Sequence, residues 1–300
     1  MKILQLRNIL LSCVLGGFLS LLTTPLSYAS DEAVYKEAKS LIKRGLASDV
    51  GFEIVESLTT EIGPRLAGSE AEARARSWGE GKFRELGFSN IRTEPFLVKH
   101  WERKFEQAQI ISPYPQNLVI TALGGSISTP PDGVTGEVVS FPTLQDLKDS
   151  PVKGLEGKIV FVDEYMTRTQ GGSGYGIAVR KRSGAANEAG KRGAIAALIR
   201  SVGTDHHRFA HTGQMTYEDD VTKVPVAALS APDADQLQRA LLKGTVEVNV
   251  VLDVISHGEA ISGNVIAEIP GETDEIVLIG GHLDSLSLIH ISEPTRRRGI

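Results

Sequence analysis

The sequence predicts an α/β protein in two parts: a sheet domain, and a smaller α/β module inserted into it. Three observations carry this. Segments with apolar residues at helical spacing alternate with short apolar runs of strand length. One run, Ile276-Val277-Leu278-Ile279, is unbroken and bounded by Glu275 and Gly280-Gly281. That is the pattern of a central parallel strand buried on both faces. A Ser/Pro/Gly-rich stretch, Ser126 to Gly133, then separates two regions of different texture, as a domain boundary does.

The chain begins with an export signature. Lys2 and Arg7 precede an apolar run from Ile9 to Leu22, and Ser27-Tyr28-Ala29 places small residues at a cleavage site. The run is shorter than the roughly 20 residues a spanning helix needs. Cys13 follows Leu-Leu-Ser, but too little apolar chain precedes it for a lipoprotein site. Cleavage after Ala29 would leave a secreted or periplasmic chain with no cysteine, hence no disulfide and no thiol nucleophile. No second long apolar run follows, so no membrane association is expected after cleavage. The net charge of −5 argues against a nucleic-acid partner, which needs a basic face.

Next come the elements. Val34, Ala38, Leu41, Ile42 and Leu46 share one helical face, and Phe52, Val55, Leu58 and Ile62 repeat the pattern until Gly63-Pro64 breaks it. Ser69 and Glu72 form a capping box for a helix with Ala71, Ala75, Trp78 and Leu86 as its buried stripe. Gly87 ends that helix, and Gly79 and Gly81 weaken its middle. Strands are expected at Ile91 to Val98 and Gln107 to Ile111. Within the module, Val134 to Phe141, Lys158 to Asp163, Ala194 to Ile199 and Val224 to Leu229 read as strands. Ser183 to Lys191 reads as a helix, as does the segment capped by Ser230 and Asp233 that carries Leu237, Leu241 and Leu242. Val246 to Val254 alternates apolar and polar residues, a strand with one wet face. A polar linker, Ser256 to Gly263, would then lead back to the first domain at Asn264 to Ile269.

Ligands of open α/β sheets bind beyond the carboxyl ends of the strands. His282 and Asp284 would sit there, after two glycines that let the backbone turn. Imidazole ligates zinc, and a nearby carboxylate can orient it. Taken alone, His-x-Asp is as well explained by a loop histidine followed by a capping aspartate. The other candidates are weaker. Asp205, His206, His207 and His211 lack regular ligand spacing and read as a solvated loop. Gly171 to Gly176 fails the dinucleotide pattern because Ile177 stands where the third glycine belongs. Arg180-Lys181-Arg182 reads as a solvated helix entry. No Gly-x-Ser-x-Gly elbow supports a serine hydrolase.

Longer motifs add a resemblance. GNVIAEIPG at Gly263 to Gly271, EIVLIGGHLDS at Glu275 to Ser285 and LTTEIGPRLAGS at Leu58 to Ser69 resemble the di-zinc exopeptidase family. HWER at His100 to Arg103, the stretch Gly124 to Val138, AALIRSV at Ala196 to Val202 and HTG at His211 to Gly213 are similar to its carboxypeptidase Q branch. The resemblance runs from about Val34 to Ser285. It implies a mixed-sheet zinc exopeptidase catalytic domain, Ser30 to Gly125 resuming at His257 to Ser285, with residues 126–256 as an inserted protease-associated domain. It further implies that His282 is a metal ligand, that Asp284 acts catalytically by orienting it, and that two Zn2+ ions serve the complete site. A short peptide is the expected substrate and a homodimer the expected assembly, in the cell exterior, the periplasm or a lysosome. A non-catalytic receptor on the same scaffold is the alternative. The family's remaining ligands and its general base have no counterpart before Ser285. The tail Leu286 to Ile300, which includes His290, resembles a translated sequencing adapter. The chain is therefore expected to be a truncated, inactive fragment.

Overall fold

The computed structural model describes residues 27–285, with side chains from residue 32 onward. The leader run with Cys13, the bulk of the export signature, and the tail with His290 lie outside the described residues. The chain divides into two units between Ser57 and Leu58. The first holds two helices, α1 at Ser27–Leu46 and α2 at Val50–Ser57. Lys43 and Arg44 sit in the last turn of α1, where cations complement the exposed carbonyls.

The second unit opens with one π-helical turn, Leu58–Ile62. Gly63, at φ +73°, ends it by taking the left-handed conformation. Helix α3, Glu70–Glu85, starts at Ser69, whose hydroxyl accepts the Glu72 N–H at 3.1 Å. Only half of the expected capping box forms. The Glu72 carboxylate turns away from the cap and is buried, between the Arg76 guanidinium and the Ser262 hydroxyl. The buried face of α3 is therefore Glu72, Ala75 and Gly79, and Leu86 is exposed. The helix runs unbroken through Gly79 and Gly81.

One eight-stranded mixed sheet follows, in the order β2-β1-β8-β4-β5-β6-β7-β3. Its strands are β1 Ser89–Ser112, β2 Gln116–Leu118, β3 Ile120–Ala122, β4 Val134–Phe141, β5 Ile159–Val162, β6 Ala196–Arg200, β7 Val226–Leu229 and β8 Glu247–Glu268. Strands β4 to β7 run parallel and the other pairings are antiparallel. This bears out the α/β class. Every residue of β5, β6 and β7 is buried, as continuous apolar runs require between two helical layers. Helix α7, Ala231–Leu241, supplies Ala234, Leu237 and Ala240 to one core. Helices α4, Leu144–Asp149, and α6, Lys181–Lys191, supply Leu144, Leu147, Ala185, Ala186 and Ala189 to the other. Ala108, Ile110, Leu118, Ile120 and Ala122 pack in the same core as Val138, Phe161 and Leu198, so apolar packing continues across the Ser126 to Gly133 stretch.

Four expectations change. The two strands expected in residues 91–111 are one continuous strand, β1. The polar linker Ser256 to Gly263 lies inside β8, which continues to Glu268. Its backbone is paired with β1 all the way, through Ser256↔Trp101, Glu259↔Lys99 and Ile261↔Leu97. A ladder is made by backbone groups, so polar side chains on a two-stranded ribbon do not interrupt it. The register shifts between His100 and Trp101, where Gly258 takes φ +82° opposite His100. Third, of Arg180-Lys181-Arg182 only Arg180 is solvated: Lys181 and Arg182 are buried. The Lys181 ammonium donates to the Glu164 carbonyl, and Arg182 reaches the Tyr175 hydroxyl and the Thr212 carbonyl. Fourth, Ile276 to Ile279 joins no sheet. These four side chains are 88, 87, 89 and 88% exposed. After β5 the chain forms a short helix, α5 at Ser173–Ala178, entered through Gly172 at φ +71°.

Candidate active site

His282 and Asp284 do not follow a sheet strand. They stand in a segment outside any helix or strand, held against the loop between the π turn and α3. The holding residue is Arg65. Its N–H donates to the Ser285 hydroxyl at 2.8 Å, and its carbonyl accepts the Ser285 N–H at 2.9 Å. Its Nε donates to the Leu283 carbonyl at 2.6 Å, and Nη1 donates to the Gly63 carbonyl at 2.7 Å. The Leu283 side chain lies beside Gly79 of α3. Ser285 is buried as a result.

On this anchored corner the His282 Nδ1 and an Asp284 carboxylate oxygen lie 2.9 Å apart. An ionised carboxylate only accepts, so in the neutral imidazole this bond places the proton on Nδ1 and leaves Nε2 with its lone pair. The histidine side chain is 66% exposed and that of Asp284 25%, so the free nitrogen is open to a ligand. Burial lowers the Arg65 guanidinium from its ordinary value, and the charge of Asp284 opposes that shift. Gly280 and Gly281 are not required by this backbone. Neither has a positive φ, and a Cβ at either would meet nothing. Among the described residues no three His, Cys, Asp or Glu side chains converge as a metal site would need.

The other candidates go elsewhere. His206 pairs with Asp235 at 2.8 Å, and His211 lies 3.3 Å from an Arg182 nitrogen. Two groupings escaped the sequence reading. At the carboxyl ends of β5 and β6, buried Arg200 bridges Asp163 at 2.7 Å and Asp235 at 2.8 Å. Tyr165 lies under its guanidinium, 3.8 Å from the ring centroid. Arg200 lies more than thirty positions from each of these partners, and no local pattern links them. At the ribbon bulge, His100 and His257 stack at 4.6 Å, and His257 bonds Glu102 at 3.0 Å. Arg65 was also missed. Its only local signal is an arginine directly after the Gly-Pro break.

The fold is similar to that of a solved peptidase. The chain is 47% identical to the peptidase M28 precursor of Shewanella amazonensis SB2B, with a TM-score of 0.81 over 86% of this chain and 59% of that one. Among curated proteins it is similar to carboxypeptidase Q. It is 35% identical to the Xenopus laevis protein over 84% of this chain and 54% of that protein. It is 32% identical to the human protein over 86% of this chain and 54% of that one. The chain thus spans about half the length of the curated relatives it matches. No protein-family model matches it.

Proposed function

We propose that this chain belongs to the M28 zinc exopeptidases and forms part of a metallopeptidase that hydrolyses short peptides, with His282 as a zinc ligand and Asp284 as the catalytic group that orients it. One observation carries the reading: the Nδ1 of His282 is engaged by Asp284 on a side chain that is largely exposed, in a chain similar to named peptidases. That is the arrangement of a carboxylate–histidine–zinc unit, in which the carboxylate selects the tautomer and raises ligand basicity. Zinc, when bound, polarises the peptide carbonyl as a Lewis acid. The chain's own residues present one imidazole and hold its proton on Nδ1.

A catalytic zinc takes three protein ligands. His282 supplies one, so the others, and the two-metal site the resemblance implies, draw on further ligands. The 300-residue chain alone is therefore expected to bind zinc weakly and to leave dipeptides intact. A form of the protein that carries the remaining ligands should bind zinc stoichiometrically, cleave dipeptides, and lose both on His282→Ala. Calorimetric zinc titration beside a dipeptide assay checks this. Undiminished zinc affinity in the His282→Ala form would remove His282 from the site.

We further propose that residues 126–256 form a protease-associated module. We also propose export, on the strength of Lys2, Arg7, the apolar run and Ser27-Tyr28-Ala29. Among the described residues no helix is long and apolar enough to cross a membrane. Amino-terminal sequencing of exported protein should begin at Ser30. A start at Cys13 would mean a lipid-anchored protein instead.

A further inference from the structure

We infer that Arg65 is a positioning residue for His282, locking the backbone on both sides of Asp284 so that its carboxylate holds the imidazole in the tautomer with a free Nε2. The inference rests on the metallopeptidase reading only for what that nitrogen binds.

The two peptide groups that flank Asp284 both bond to this one residue. The Leu283 carbonyl, from the peptide preceding Asp284, accepts from Arg65 Nε at 2.6 Å. The Ser285 N–H, from the peptide following it, donates to the Arg65 carbonyl at 2.9 Å. Holding both peptide planes removes the freedom of φ and ψ at Asp284. A side chain with two torsions then has few ways to place its carboxylate, and the one adopted meets His282 Nδ1 at 2.9 Å. The segment lies outside the sheet, with His282 largely exposed and Ile276 to Ile279 bare, so Arg65 and the packing of Leu283 beside Gly79 hold it in place of a ladder.

Arginine suits the task for a geometric reason. The Leu283 and Gly63 carbonyls are served by two nitrogens of one planar group, Nε and Nη1. A lysine ammonium is a single point on a flexible stem and has no Nε donor, so it cannot reproduce the fork. Gly63 begins the break after the π turn, so Arg65 also fixes its own loop before reaching across 218 residues to Leu283.

The test reads the tautomer directly. Nitrogen-detected spectra of the histidines are recorded for the 300-residue chain at about pH 8.5, where an ordinary imidazole is neutral. The His282 signals are assigned by their loss in His282→Gln. The parent chain should show a protonated Nδ1 and an unprotonated Nε2 at His282. In Arg65→Ala and Arg65→Lys the two shifts should move to those of a free, solvent-exposed imidazole, as they should in Asp284→Asn. Amide protection of Phe161, Leu198 and Ala227 reports that the module remains folded in each variant. Arg65→Lys keeps the backbone pair with Ser285 and the positive charge, so it carries the test should Arg65→Ala fail to fold. An unchanged His282 signature in a folded Arg65 variant would overturn the inference, and so would an Nε2–H tautomer in the parent. Zinc titration of the form that carries the remaining ligands separates the two readings. A His282 tautomer that responds to Arg65, together with indifference to zinc in that form, would uphold the positioning role and count against the metallopeptidase.

Discussion

A single buried ammonium shows how residue-scale electrostatics sets a pH dependence. Lys181 is fully buried, and desolvation is the main reason its pKa falls from 10.5 to about 8. Glu164 and Asp163 oppose that fall, while Arg200 and Arg182 add to it. The folded value lies below the unfolded one. Below about pH 8 both states carry the charge, and the cost of burying it is present in full. Between about 8 and 10.5 the unfolded chain binds more protons than the folded one, so stability rises with pH through that window. The size is about 3 to 4 kcal/mol at full shift, at roughly 1.4 kcal/mol per unit. Lys181→Met removes the charge but leaves the Glu164 carbonyl without this donor, a smaller cost of about 1 kcal/mol. We expect the variant to be the more stable at pH 7 and the parent to catch up by pH 10. Urea unfolding at several pH values checks this, and parallel stability curves would show that Lys181 is not buried as a cation. Basic residues in sequence commonly mark a wet surface, and nothing local announces that Lys181 and Arg182 point inward.

Among the elements, two helical glycines with the same apparent weakness face opposite consequences. Gly81 in α3 has nothing within 4 Å of where a Cβ would stand. Gly81→Ala should therefore stabilise by roughly 0.5–1 kcal/mol, the helix propensity difference. Gly190 in α6 would place a Cβ 2.1 Å from the Thr222 carbonyl oxygen and 2.9 Å from the Val221 side chain. There the clash with backbone exceeds the propensity gain, and Gly190→Ala should destabilise by about 1–3 kcal/mol. Thermal melts of the two variants, shifted in opposite directions, check the pair. The strands divide in the same way between local and distant causes. Val246 to Leu252 is legible from alternation alone, because Val246, Val248, Val250 and Leu252 are buried. Its continuation from Ser256 to Gly263 is not, because β1 supplies the partner backbone from more than 150 positions away. Arg200 belongs to this scale too, since it ties the ends of β5 and β6 to α7 through Asp163 and Asp235.

At the scale of the whole molecule, order should be uneven along the second unit. Strands β5 to β7, closed on both faces by helices, are buried at every residue. Residues 275–282 have no ladder, and four large apolar side chains there are almost wholly exposed. Local stability follows buried contact and hydrogen bonding, so the two regions should differ in opening free energy. Native-state amide exchange should be slow at Phe161, Leu198 and Ala227 and fast at Val277 and Leu278. Slow exchange at Val277 and Leu278 would mean that the segment pairs with a partner strand in solution. An exposed apolar run of this kind also favours association between copies. Val277→Lys with Leu278→Glu should raise the concentration at which the chain stays monodisperse and leave the unfolding midpoint unchanged.

The amino-acid sequence by itself determined the α/β class, the buried strands β5 to β7, the caps at Ser69 and Ser230, and the candidate pair His282 and Asp284. Each is written within a few consecutive residues, as a periodicity, a capping oxygen or a two-residue spacing, and local patterns obey local physics. Tertiary structure alone decided that β1 and β8 are single long strands, that Lys181 and Arg182 are interior, and that Ile276 to Ile279 lies outside the sheet. It also made Arg65 the clamp on Asp284. These outcomes depend on which distant backbone donors and acceptors meet. Ser285 and Arg65 are 220 positions apart, and a hydrogen bond between them exists only once the chain has folded to bring them together.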